Sequence, residues 1–147
     1  MAGELPAFLD PGAGGIEQAA SLLTDGQVVA VPTETVYGLA ADARNTHAVS
    51  QVFSVKGRPL IDPLIVHVMG ERMARTVAEF DGRAAALAAA FWPGPLSLVL
   101  PRIDGVPDLV TAGLGTVAVR APAQPVMQRL LETADMPLAA PSANPFG

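Results

Sequence analysis

The only lysine of the 147-residue chain, Lys56, stands two positions before Arg58 in "KGRP". Lysine supplies a compact charge and arginine a planar fork of donors. Gly57 between them lets the backbone turn closely, so the pair suits the oxygens of a polyphosphate or a carboxylate. Two solvated cations on an exposed loop are the plainer reading. The stretch is no Walker loop, because no GxxxxGK[ST] precedes a helix. A second polar cluster, Thr33, Glu34 and Thr35 in "VPTETVYGLAADA", follows a strand-like run. It sits where open α/β sheets bind ligands, or else its Thr and Glu cap a helix. His67 lies in "PLIVHV", where alternation from Leu64 sets Ile65 and His67 on the face opposite Val66 and Val68. It is either a satisfied core histidine or a hydrogen-bonding group lining a cleft. Arg120 ends "TVAVR" and must be solvated or paired with an anion. Ser142 and Asn144 in "APSANPFG" offer short polar groups to a ligand or form a turn. No G-x-S-x-G elbow supports Ser142 as a nucleophile.

These residues need a scaffold. "GGIEQAASLLTDG" has helical spacing and a glycine stop, "QVVAVP" reads as a buried strand, and "HAVSQVFSV" is helical up to Gly57. "PLIVHV" is a strand. "ERMARTVAEF" and "GRAAALAAAFW" are helical, the second ended by "PGP". "LSLVL", "TVAVRAP" and "PLAAP" are strands, with "PVMQRLLETA" a helix before the last. Short strands separated by helices predict one layered α/β domain. "PRIDGVPDLVTAGLG", residues 101 to 115, reads as a long surface loop.

Composition narrows the chemistry. Nine basic residues against fourteen acids give a net charge of −5, which argues against broad binding of nucleic acid or an anionic membrane. Half the residues are hydrophobic, enough for a real core, yet no run reaches the roughly 18 to 20 residues of a membrane span. The N-terminus has no secretory pattern, so the expected location is the cytoplasm. The absence of cysteine removes disulfides, thiolate metal sites and a cysteine nucleophile, and two separated histidines make a multi-histidine zinc site a poor reading.

The order and wording of "VPTETVYGLAADA", "KGRP", "DPLIVHV", "FWPGPLSLVL", "TVAVRAP" and "APSAN" resemble one family, the YrdC-like L-threonylcarbamoyladenylate synthases, over residues 27 to 144. The resemblance implies a twisted mixed α/β sheet with flanking helices around a concave basic cavity. It implies a nucleotidyltransferase that makes threonylcarbamoyl-AMP and pyrophosphate from L-threonine, bicarbonate or carbon dioxide, and ATP. The product would feed N6-threonylcarbamoyladenosine modification at position 37 of tRNA through a downstream threonylcarbamoyl transferase complex. Lys56 and Arg58 match the family's KxR pair and would hold the ATP phosphates as the catalytic cations. Asp62, Thr116, Ser142 and Asn144 fall on the nucleotide side. Thr35, His67 and Arg120 would position L-threonine, Arg120 at its carboxylate, while Thr33 lies at the same cavity wall as the nucleotide-side residues. Magnesium is expected on the phosphate oxygens, with no protein ligand assigned to it. Asp62 stands where the family commonly has Asn, Gln124 replaces a histidine, and Ala40 replaces a glycine. Family domains continue past "PSAN", so residues 1 to 147 are expected to be a single domain lacking the C-terminal strands. A non-catalytic RNA-binding or ribosome-associated module and a related carbamoyl-transfer enzyme are the alternative functions.

Overall fold

The computed structural model describes residues 8–34, 36–57, 59 and 62–143. Thr35, Arg58 and Asn144, three of the residues singled out above, lie outside the described residues. The elements are α1 (Gly15–Thr24), β1 (Val29–Pro32), β2 (Tyr37–Asp42), α2 (Thr46–Lys56), β3 (Ile65–His67), α3 (Glu71–Ala74), α4 (Gly82–Phe91), β4 (Ser97–Pro101), α5 (Asp108–Thr111), β5 (Thr116–Arg120), α6 (Pro125–Ala134) and β6 (Leu138–Ala139). The strands form one mixed sheet in the order β1-β2-β6-β3-β5-β4. β3 and β5 are parallel, and the other neighbours are antiparallel.

Local chemistry sets the helix boundaries. The Asn45 side chain accepts from the Ala48 N–H at 3.0 Å and opens α2, and Asp81 does the same for α4 through Ala84 at 2.8 Å. Gln124 caps α6 by accepting from Met127 at 2.8 Å, with Pro125 in the first turn where its missing N–H costs nothing. Gly57, at φ 65°, closes α2 in the left-handed conformation that a side chain disfavours.

Burial divides the sheet. On one face, Leu64, Val66 and Val68 join Leu98, Val117 and Val119 beneath α2, α3, α4 and α5, forming the larger core. On the other face, α1 and α6 cover β1, β2 and β6 through Leu23, Val31, Ala40, Met127, Leu131 and Leu138. The second pair of helices stops short of β3, β5 and β4. Residues on that face there stay partly or fully exposed, among them Ser97, Val99, Thr116, Ala118 and Arg120. A sheet face left open beside the ends of parallel strands is where α/β folds place ligands.

Three expectations need correction. Residues 37 to 42 are a strand, paired with β1 from Val29↔Ala40 to Pro32↔Tyr37, and no local helix starts after Thr33 and Glu34. Alternation is absent there because small alanines are buried on both faces, Ala40 against α1 and α6 and Ala41 against α2. Residues 101 to 115 are no surface loop. Arg102 bridges to Ala78, α5 follows, and Val106 and Val110 enter the core from positions four apart. Arg102 ties the segment together by donating to the Thr111 hydroxyl at 2.9 Å and to the Asp108 carboxylate at 2.6 Å. The helix expected over "ERMARTVAEF" is confined to Glu71–Ala74. The chain then turns so that Val77 and Ala78 can pack inward.

Candidate active site

Lys56 is the last residue of α2, where its charge opposes the negative end of the helix dipole. It is 5% exposed, and its Nζ donates to the Ser142 carbonyl at 2.6 Å. The reading of Lys56 as a solvated loop cation is therefore wrong. An ammonium taken out of water needs anionic or dipolar partners, and Ser142 is one of them.

Ser142 is held by backbone pairing. It bridges to Gly38, while Leu39 N–H donates to Pro141 and Ala143 N–H to Tyr37, each at 2.7 Å. This continues the line of β6 alongside the start of β2. The approach favours glycine at position 38: a Cβ there would lie a tight 3.1 Å from Thr33 Cγ2 and 3.3 Å from the Ala140 carbonyl. Thr33, Lys56 and Ser142 thus gather around Gly38. Thr33 closes the hairpin turn, since both its N–H and its hydroxyl donate to the Val36 carbonyl.

His67 and Arg120 are register partners on the parallel strands β3 and β5, so they share a face, and Ser97 of β4 faces Arg120 from the other side. Arg120 Nε donates to Ser97 Oγ at 2.9 Å, which fixes the guanidinium plane. Ser97 was not among the residues singled out from the sequence. The signal was present in "LSLVL", where alternation puts Ser97 opposite buried Leu98. Thr116 lies on the same face as Arg120, four residues back along β5. Asp62 lies before β3, its N–H donating to the Pro59 carbonyl at 3.1 Å.

His67 combines the two readings offered for it. It is 5% exposed, yet its Nδ1 has no hydrogen-bond partner among the described residues. A buried ring nitrogen left in that state suits a ligand's polar group. Burial, with the Arg120 charge adding to it, lowers the His67 pKa to about 4, against a smaller upward pull from a hydrogen bond with the Ala140 backbone. Near neutral pH the ring is uncharged. Above pH 6.5 the folded and unfolded chains both hold it neutral. Between 6.5 and about 4 the unfolded chain takes up a proton that the folded chain refuses, and below that both are protonated. Stability should fall as the pH drops through this window, and His67→Gln should flatten the fall in denaturant titrations taken at steps from pH 7.5 to 4.

Two other clefts are present. One of about 690 Å³ is bordered by Arg44, Met69, Arg72 and Glu132, and one of about 640 Å³ by Ile16, Ala19, Val31 and Leu130. Neither is lined by Lys56, His67, Arg120 or Ser142. The site described here is an open sheet face, and its chemistry, not its enclosure, singles it out.

Comparison with known proteins bears on the family and the fold. The chain is 48% identical over 133 residues to the threonylcarbamoyl-AMP synthase of Pyrococcus abyssi, covering 90% of this chain and 39% of that protein. It is 40% identical over 131 residues to the threonylcarbamoyl-AMP synthase of Halorhodospira halophila, covering 88% of this chain and 69% of that one. Among solved structures, Sua5 of P. abyssi complexed with L-threonine superposes with a TM-score of 0.86 at 45% identity, over 94% of this chain and 40% of that chain. The chain thus spans about two fifths of the length of the P. abyssi protein. The Sua5–YciO–YrdC family model, described as telomere recombination, matches residues 21–147. That match runs from within α1 through Ser142 and takes in every residue of the candidate site, and the chain belongs to this family.

Proposed function

We propose that the open face of β3, β5 and β4 binds L-threonine, that the Lys56–Ser142 edge binds ATP, and that the chain makes threonylcarbamoyl-AMP. The observation that carries the reading is the adjacency of Arg120 and His67. One is a guanidinium oriented by Ser97, the other a buried neutral imidazole with an unpartnered nitrogen. A fixed planar cation suits the amino-acid carboxylate, and a neutral imidazole suits its hydroxyl or carbamate. Thr35 completes this side, with Thr33 at the wall.

The chemistry follows from placement. The L-threonine amine forms an N–C bond to carbon dioxide and loses a proton, or to bicarbonate with loss of water, and an oxygen of the resulting carbamate attacks the α-phosphorus of ATP in line. One P–O bond forms as another breaks, and its electron pair leaves with pyrophosphate. The protein supplies orientation and charge, not a nucleophile. Lys56 and Arg58 balance the triphosphate charge, while Thr116, Ser142 and Asn144 hold the nucleotide. Asp62 would stand on the nucleotide side. Among the described residues no three carboxylate or imidazole groups come together to hold a cation. Magnesium would arrive with the triphosphate, as is general for ATP chemistry, and the steps above are assigned to the chain's own residues.

The product suits the modification of adenosine 37 in tRNA by a separate threonylcarbamoyl transferase complex in the cytoplasm. Among the described residues no helix is long and apolar enough to cross a membrane. The inward position of Lys56 and the net charge of −5 favour small substrates over broad RNA binding.

Calorimetric titration of the chain with L-threonine, with and without magnesium ATP and bicarbonate, followed by a pyrophosphate-release assay, tests the proposal. Threonine binding that tightens with ATP, and pyrophosphate release that requires both threonine and bicarbonate, are the expected results. A folded chain that binds neither substrate would refute it.

A further inference from the structure

Glu34 is exposed at the tip of the β1–β2 hairpin, yet its Oε1 accepts from the Ala123 N–H at 2.8 Å and the Gln124 N–H at 3.4 Å, 89 and 90 residues away. Both anchors are firm. On the hairpin side, Thr33 closes the turn onto Val36. On the other, Ala121 and Pro122 are buried, the Ala121 carbonyl accepts from Gly94 at 2.8 Å, and the Pro122 carbonyl accepts from the Gln128 side chain at 2.9 Å. That segment begins one residue after Arg120 and ends at the cap of α6. A carboxylate oxygen accepting two successive N–H groups at a helix N-terminus makes charge-assisted bonds aligned with the helix dipole.

We infer that Glu34 is a positioning residue, a brace that fixes the hairpin turn closed by Thr33 against the strand end carrying Arg120. The inference rests on the threonine reading of that face and deepens it. Two walls on different elements drift apart unless something ties them, and a pocket a fraction of an ångström too wide loses a small, polar ligand first. Glu34 reaches the frame of the pocket and leaves the ligand to its neighbours.

The test compares Glu34→Ala, Glu34→Gln and Glu34→Asp with the parent chain, by hydrogen exchange at the Ala123 and Gln124 amides and by separate KM values for L-threonine and ATP. In Glu34→Ala the two amides should exchange about tenfold faster. The KM for threonine should rise about tenfold, with kcat and the KM for ATP within twofold of the parent. Glu34→Gln keeps an acceptor oxygen at the same reach and should recover most of both effects, whereas the shorter Glu34→Asp should not. Faster exchange with an unchanged threonine KM would overturn the inference and leave Glu34 a simple helix cap. Equal rises in both KM values would overturn it as general loosening. A parent chain that binds no threonine would bring down the functional reading, and the inference with it. A parent that binds threonine exactly as Glu34→Ala does removes the inference alone.

Discussion

Lys56→Met is expected to cut pyrophosphate release by about a hundred- to a thousandfold, with ATP affinity reduced and only a modest loss of stability. Methionine keeps the apolar stem and much of the volume, so the packing at the end of α2 survives while the ammonium is lost. At 5% exposure the charge of Lys56 acts through a medium less polarisable than water. Removing a single preorganised electrostatic contact of this kind costs on the order of a hundred- to a thousandfold in rate. Part of the effect falls on the fold, because the Ser142 carbonyl loses the donor that now sits 2.6 Å away. A thermal melt separates the two contributions. A variant that melts within a few degrees of the parent but releases no pyrophosphate places the loss at the phosphates. Unchanged ATP affinity and rate would reduce Lys56 to a structural tie between α2 and the Ser142 segment.

How much of this site was legible beforehand depended on whether its signal was local. Period-two alternation placed His67 opposite Val66 and Val68, and the structure agrees, because a short strand between a buried layer and an open face has only two sides to choose from. The same rule applied to "LSLVL" would have found Ser97, whose importance lies in standing across from Arg120 in the β4–β5 register. Register is a property of two strands and is not written in either one. Glu34 shows the limit most clearly. No helix starts after it, and its carboxylate instead accepts from Ala123 and Gln124 in the segment that leads into α6, a contact 89 and 90 positions away. β2 was unreadable by alternation because its alanines are buried on both faces, and α5 was masked by the prolines and glycines around it. The burial of Lys56 was not legible for a related reason: the carbonyl its ammonium meets belongs to a residue 86 positions later.

Arg120→Met should raise the KM for L-threonine about a hundredfold and leave ATP affinity nearly unchanged. Arg120 Nε is already committed to Ser97 Oγ, and its terminal nitrogens have no hydrogen bond to described residues, so the outer edge of the fork is presented to the open face. A bidentate, charge-assisted contact with a carboxylate lies at the strong end of hydrogen-bond contributions, about 3 kcal/mol, which corresponds to that loss of affinity. The same substitution has a second readout in His67. The Arg120 charge is the lesser of the two causes that hold the His67 pKa near 4, after burial. Removing it should move the His67 titration upward by NMR while burial still keeps it below 6.5. Arg120→Lys separates the two effects, because it keeps the positive charge, and with it the depressed imidazole, but loses the planar fork and the Nε contact to Ser97. Threonine affinity in that variant should recover only in part. If Arg120→Met instead weakened ATP and spared threonine, the carboxylate assignment would be reversed and the nucleotide would lie over β5. If threonine affinity were lost without any upward movement of His67, the two side chains would not share the site that their register implies.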